Sequence, residues 1–213
     1  MRPINVFREK KMDLTNTIIV SVVVALIYVF IIRPKKEKQA EQEKKDRQDL
    51  TDVSGVEYSK DKQTLVKAHS VAKDYDVPVG VSSIQDCAFQ GRSELETINL
   101  GTVYHIGGNA FQNCINLKTV VFPKHMGSIG SYAFYGCKSL QQITVPDGIK
   151  EIKRNTFSKC TNLHTVVLAD SVTYIGQNAF EGCESLAKIV VPKGTSERIA
   201  KLLPELSEKL IEE

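Results

Sequence analysis

The stretch that decides the fold is IGGNAFQNCINLKTVVFP (Ile106–Pro123). It is followed by IGSYAFYGCKSLQQITVP (Ile129–Pro146), IKRNTFSKCTNLHTVVLA (Ile152–Ala169) and IGQNAFEGCESLAKIVVP (Ile175–Pro192). A looser copy, IQDCAFQGRSELETINLG (Ile84–Gly101), precedes them. Aligned on Phe89, Phe111, Phe134, Phe157 and Phe180, the copies are spaced by 22, 23, 23 and 23 residues. Five residues before each phenylalanine stands an isoleucine, and immediately before it a small residue: Ala88, Ala110, Ala133, Thr156, Ala179. Leucine recurs six residues after it, Ile or Val nine after, and Leu100, Phe122, Val145, Leu168 and Val191 eleven after. A fixed period of this length marks a stacked-repeat architecture.

The end of each copy alternates, so Ile98 and Leu100 point one way while Thr97 and Asn99 point the other. Each such end is expected to form a short strand. One unit cannot bury its apolar side alone. Stacked units can, with their strands paired in parallel along the stack. The Ala-Phe step is expected as a short helical turn on the opposite wall, with the ring inside. Pro123, Pro146 and Pro192 after the strands, and Gly91, Gly136 and Gly182 two residues after Phe, punctuate the turns.

The unit I-G-x-x-A-F-x-x-C-x-x-L-x-x-I-x-x-P resembles the BspA-type leucine-rich repeat of bacterial proteins. The resemblance covers residues 55–213. It implies a leucine-rich-repeat solenoid of short parallel strands and short helical turns over 51–194. Residues 57–80 resemble the leading hairpin of such domains, with a turn at Lys60–Gln63. The tail, 195–213, resembles their terminal helical segment in Bacteroidetes-like bacteria. The resemblance also implies binding, as adhesins or interaction modules often at a cell surface, and carries no catalytic residue.

The first fifty residues read differently. Leu14–Ile32 is uncharged, and a helix of that length spans about 28 Å, close to the bilayer's apolar thickness. The expectation is a single transmembrane helix over 14–32, after an N-terminal tail at 1–13. The run ends FIIRPKK with no small-x-small site, which favours an uncleaved signal anchor over a cleaved signal peptide. Both flanks are basic, so the side on which the repeats lie stays open. Residues 33–50 hold only Ala40 and Leu50 as apolar residues and are expected as a charged stalk, with a solvated helix compatible.

Charge narrows the function. The chain is 213 residues with a formal net charge of +3. Residues 1–50 carry 11 Lys/Arg against 7 Asp/Glu, and residues 51–213 carry 17 against 18. A near-neutral body lacks the basic face that a nucleic-acid binder needs. Cys114, Cys137, Cys160 and Cys183 form one column three after Phe; Cys87 is off it, and Arg92 takes the column position in the first copy. A straight ladder cannot offer four thiolates tetrahedrally to one metal, so the column reads as small buried free thiols. Its oxidation state stays open. His69, His105, His125 and His164 form no HExxH pair and are expected in turns, except His164 in a strand. No phosphate loop, GxSxG or other catalytic motif appears, so neither an enzyme nor a cofactor is expected.

The outward strand positions form the candidate partner-binding face. One row is Thr97, Thr119, Gln142, Thr165 and Lys188; the other is Asn99, Val121, Thr144, Val167 and Val190. A flat, largely uncharged face suits a protein or cell-surface ligand. The same β-branched composition also serves plain cross-strand packing. A cytoplasmic-side scaffold or assembly factor for a membrane complex, and an accessory module of a membrane enzyme, are the alternative readings. Beyond Pro192, Ile199, Leu202, Leu203, Leu206 and Leu210 recur at helical spacing, interrupted by Pro204, and are expected to form a C-terminal helical cap over 195–213.

Overall fold

The computed structural model describes residues 24–213. Residues 50–213 form one compact unit, and the described residues before them, 24–49, belong to another. In the repeat unit the chain coils into a solenoid of about six turns, and every turn contributes to two ladders of parallel strands. The sheet-face ladder contains β3 (Asp74–Asp76), β5 (Thr97–Asn99), β7 (Thr119–Val121), β9 (Gln142–Thr144), β11 (Thr165–Val167) and β13 (Lys188–Val191). The second ladder contains β4 (Ser83–Ile84), β6 (His105–Ile106), β8 (Ser128–Ile129), β10 (Glu151–Ile152) and β12 (Tyr174–Ile175). Its inward residues are the isoleucines five before each Phe, nearly fully buried apart from Ile175.

The expected helical turn at Ala-Phe is replaced by consecutive tight turns. Residues two before Phe (Cys87, Asn109, Tyr132, Asn155, Asn178) take φ of 54–58°. Those two after it (Gly91, Asn113, Gly136, Lys159, Gly182) take φ of 58–72°. Two left-handed residues per turn are incompatible with a helix. The turns also look outward along the stack for partners. The Phe89, Phe111, Phe134 and Phe157 amides donate to the carbonyls of Ala110, Ala133, Thr156 and Ala179 in the following turn, at 2.7–2.9 Å. Cys87, which is off the thiol column, occupies one of these left-handed positions. Inside, the five phenylalanine rings stack nearly parallel, with centroids 5.0, 5.1, 5.6 and 5.6 Å apart.

The N-terminal end is closed by an antiparallel hairpin, β1 (Val56–Tyr58) and β2 (Thr64–Ala68), and β2 continues the second ladder beside β4. The Asp52 carboxylate ties this end together. It accepts from the Ser54 and Val56 amides, and with the Tyr58 and Tyr75 hydroxyls it forms a three-oxygen cluster whose contacts share the two phenolic protons. Burial pushes the Tyr58 hydroxyl up to about 12 and raises Tyr75 as well. Tyr75, on β3, packs against Phe89 with centroids 6.0 Å apart.

Beyond β13 the expected helical cap is two short helical pieces separated near Pro204, and it ends in a strand. An α-helix covers Ser196–Leu202, a 3-10 helix covers Pro204–Lys209, and Leu210–Glu212 forms β14, parallel to β13. Pro204 cannot continue the α-helical ladder, which returns the chain to the sheet. Ile199 and Leu203 are buried in the common core.

In the N-terminal unit a π-helical turn at Tyr28–Ile32 leads into an α-helix at Arg33–Asp49. Arg33 pairs with Glu37 at 2.9 Å on its exposed surface. The expectation of a transmembrane helix over 14–32, with the bilayer as partner and a membrane localisation, is corrected. Among the described residues no helix is long and apolar enough to cross a membrane. Residues 14–23 of the expected span, and the tail at 1–13, lie outside the described residues.

Candidate partner-binding face

Strand alternation places the ten candidate residues on the outer side of the sheet-face ladder. Their register is shared from strand to strand: Thr97 lies beside Thr119, Gln142 beside Thr165, and Thr165 beside Lys188. The face is not uniform. Thr119, Gln142, Thr144 and Val121, the last 47% exposed, are open to solvent, as is Asn99. Thr97, Val167 and Lys188 are half-buried. Thr165 and Val190 are buried, at 9% and 7% exposure, Val190 paired in register with Ile211 of β14. Asp74 and Asp76 extend the face at its N-terminal end, on a strand that sequence reading missed. Along its margin the Glu96 carboxylate bridges Lys118 at 2.7 Å and Lys73 at 3.0 Å. Those two cations hold the Glu96 carboxyl below its usual range.

The middle of the face is split. β7 and β9 belong to different sheets, so the ladder is interrupted between the Phe111 and Phe134 turns. The second ladder breaks one turn later, between β8 and β10. Phe122 accounts for the position of the split. It occupies a column that is otherwise Leu or Val, and its ring stands edge-on to Phe134 with centroids 6.1 Å apart. A ring of that size in a column dimensioned for an aliphatic residue holds the strands apart. Phe122 and Val120, inward-facing in register, are consequently only partly buried, while their counterparts at every other turn are buried.

The result is a groove of about 600 Å³. Lys118, Val120, Phe122 and Lys124 form one lip; Gln141, Gln142, Thr144 and Pro146 form the other. The register of the neighbouring strands identifies the backbone groups that face it. His164 and Thr165 amides donate to the Gln141 carbonyl, and the Val145 amide donates to Val167. The corresponding groups one turn earlier, the amides of Gln141 and Gln142, the Lys118 carbonyl and the Phe122 amide, make no such bonds across the split. Sequence reading placed Thr119, Gln142 and Thr144 on the face but missed Val120, Phe122 and Lys118. The one signal was an aromatic residue in an aliphatic column.

The thiol column is structural. Cys114, Cys137, Cys160 and Cys183 are free, and each thiol donates to a phenylalanine carbonyl of the preceding turn at 3.0–3.2 Å. Burial pushes Cys183 up to about 11, Cys114 up to about 12, and Cys137 and Cys160 upward as well. Such thiols are poor nucleophiles and poor metal ligands. Arg92 replaces the thiol in the first turn and donates to the His69 carbonyl of the hairpin at 2.6 Å. His105 lies in β6 rather than in a turn, its ring 2.9 Å from the Ser128 hydroxyl. Among the described residues no group of three or more His, Cys, Asp or Glu is placed to hold a metal ion.

A family model for the BspA type leucine rich repeat region matches residues 82–201 in six copies. No curated protein matches significantly. Among solved structures, a leucine rich cell surface protein from Faecalibacterium prausnitzii is 27% identical with a TM-score of 0.64, over 70% of this chain and 41% of that one. The T. pallidum leucine rich repeat protein is 29% identical with a TM-score of 0.59, over 63% of this chain and 67% of that one. The pneumococcal vaccine antigen PcpA is 21% identical with a TM-score of 0.59, over 74% of this chain and 44% of that one, and shares the fold. The chain therefore spans less than half the length of the first of these.

Proposed function

The chain belongs to the BspA-type leucine-rich repeat family, and from that premise we propose that it is a protein-binding module whose ligand meets the outer side of the sheet-face ladder. The observation that carries this reading is the exposed, uncharged run Asn99, Thr119, Val121, Gln142 and Thr144, set on strands whose inward residues rest on the core, Ile98 and Ile143 buried and Val120 partly so. Rigid repeats present such surfaces at little ordering cost on binding. The F. prausnitzii protein, described as a cell surface protein, is consistent with an extracellular protein or cell-surface ligand. The shallow face lacks the enclosed, mostly apolar cavity of a small-molecule site, and the solenoid is typical of binding modules rather than enzymes.

The test is a binding screen of immobilised proteins and peptides with the full chain and three variants. Val121→Glu and Thr144→Arg alter the exposed face. Glu181→Lys alters a phenylalanine turn. Ligands lost with both face variants and kept with the turn variant support the proposal. Ligands indifferent to both face variants overturn it.

A further inference from the structure

Each phenylalanine turn holds the next by the same three amides. The residue two before Phe, the Phe itself and the residue two after it donate to carbonyls of the following turn. The series runs from Cys87, Phe89 and Gly91 to Asn155, Phe157 and Lys159, at 2.7–3.1 Å. In the last turn the equivalent amides are those of Asn178, Phe180 and Gly182, and among the described residues none has an acceptor. At the other end of the stack the hairpin meets the corresponding carbonyl edge. There the Ala68 amide donates to Ala88 at 2.9 Å and the Lys67 ammonium to Cys87 at 2.6 Å. The three residues of the last turn instead line an opening of about 500 Å³, flanked by Glu205 and Leu206 of the 3-10 helix. The Phe180 side is less covered than its counterparts: Phe180 is 6% exposed where Phe89, Phe111, Phe134 and Phe157 are at 0%.

The opening has a register and a sign. Asn178, Phe180 and Gly182 alternate along the chain, so their amides share one edge. One turn earlier, the amides of that edge meet the alternating carbonyls of Gln177, Ala179 and Glu181. An edge of unpaired donors is a template for a further extended segment. The lining contains Glu181, Glu184 and Glu205 and no Lys or Arg. Glu181 acts on Lys159 of the preceding turn. Glu184 and Glu205 are exposed and make no ion pair among the described residues. We propose that this edge binds an extended basic peptide of a partner protein, lying parallel to the last turn in the place of one more. Three alternate carbonyls of the peptide accept from the Asn178, Phe180 and Gly182 amides, and its Lys or Arg side chains reach Glu184 and Glu205. The site lies at the end of the phenylalanine-turn wall and is additional to the sheet face.

The test uses the full chain and a short dye-labelled peptide of alternating lysine and alanine, acetylated and amidated at its ends. Binding is followed by fluorescence anisotropy and by amide hydrogen exchange. In the free protein the Asn178, Phe180 and Gly182 amides should exchange faster than those of Asn155, Phe157 and Lys159, which donate at 3.1, 2.9 and 2.7 Å. The peptide should slow the three last-turn amides. Glu184→Lys combined with Glu205→Lys reverses two exposed charges and should weaken binding about tenfold at low salt. Val121→Glu, on the sheet face, should leave binding unchanged. Replacing alternate peptide bonds by esters, whose carbonyls are weaker acceptors, should weaken binding in one parity and spare it in the other.

Last-turn amides as protected in the free protein as those of Asn155, Phe157 and Lys159, or no binding by the lysine peptide, overturn the proposal while leaving the face reading to its own screen. Binding that leaves the three amides unprotected, or that responds equally to both ester parities, is charge attraction alone and also overturns it. Binding lost with Val121→Glu and kept with the double glutamate variant moves the peptide to the sheet face. Self-association in sedimentation that the double glutamate variant abolishes, with no peptide bound, assigns the opening to a second copy of the chain and overturns the peptide as its occupant.

Discussion

Replacing Phe134 by leucine tests what joins the two halves of the solenoid. Both strand ladders are interrupted around the Phe134 turn, one before it and one after. What crosses both interruptions is the ring stack and the hydrogen bonds of the phenylalanine turns. Phe134 has three aromatic neighbours: Phe111 at 5.1 Å, Phe157 at 5.6 Å and Phe122 at 6.1 Å. Each such contact is worth about 0.5–1.5 kcal/mol beyond area burial, and leucine leaves only a small cavity, so Phe134→Leu should cost about 3 kcal/mol. Among the described residues Phe180, the last ring of the stack, meets one aromatic neighbour, Phe157 at 5.6 Å, and Phe180→Leu should cost about 1 kcal/mol. A loss of about 3 kcal/mol leaves a domain of this size folded. The assay is urea unfolding followed by far-ultraviolet circular dichroism and by tyrosine fluorescence, since the chain has seven Tyr and no Trp. Phe134→Leu should also separate the two probes, because repeat arrays lose cooperativity where the coupling between neighbours is weakest. Costs for the two variants equal within about 0.5 kcal/mol, with coincident probes in both, would refute the argument that the ring stack couples the halves.

The thiol column predicts alkaline lability. The unfolded chain's cysteines lose protons near pH ~8.5. Burial holds Cys183 up to about 11 and Cys114 up to about 12. Between these limits the folded state binds more protons than the unfolded state. Stability should therefore fall as pH rises above about 8.5, by up to ~1.4 kcal/mol per pH unit per thiol. Cys183 and Cys114 should cease to add to the decline above about 11 and 12 respectively. Urea midpoints across this range check the slope, and a midpoint that stays constant to pH ~10 contradicts it. Gly130→Ala should destabilise by about 3 kcal/mol or more, because the added Cβ lies 2.4 Å from the Gly107 carbonyl carbon, backbone that cannot yield. Gly91→Ala meets nothing within 4 Å and should cost only the ~1–2 kcal/mol of its left-handed conformation at φ +72°, as read by thermal melting. Asp52→Ala should cost about 3 kcal/mol by chemical denaturation, since it strips an acceptor from two amides and two tyrosine hydroxyls at once. A loss under about 1 kcal/mol would show that these groups find other partners.

Much of the solenoid was legible because its determinants are periodic. The phenylalanines, the isoleucines five before them and the apolar pair at each strand are placed by a repeat that one reading frame captures. Side-chain alternation then assigns Thr97 and Asn99 to the outside without coordinates. The columns of Asn and Gly flanking Phe also carry their meaning in sequence, since those residues tolerate positive φ, yet Tyr132 and Lys159 in the same columns disguise it. The expected helical turn failed for that reason: composition marked a turn there, but only the backbone shows two left-handed residues and amides directed to the next turn. A second ladder of two-residue strands was equally hidden, because two residues carry no alternation to read.

By itself the sequence determined the repeat, its period, the inward columns and the family, since these depend on local spacing and on the burial of apolar faces. Only the tertiary structure decided where the stack is continuous. The split at Phe122, the return of the tail as β14, the carboxylate cluster of Asp52 and the covering of Thr165 and Val190 all depend on what lies beside a residue rather than before or after it. The candidate site lies in that second category. A ring slightly too large for its column opens the sheet only because another ring stands beneath it, and a linear chain does not specify that neighbour.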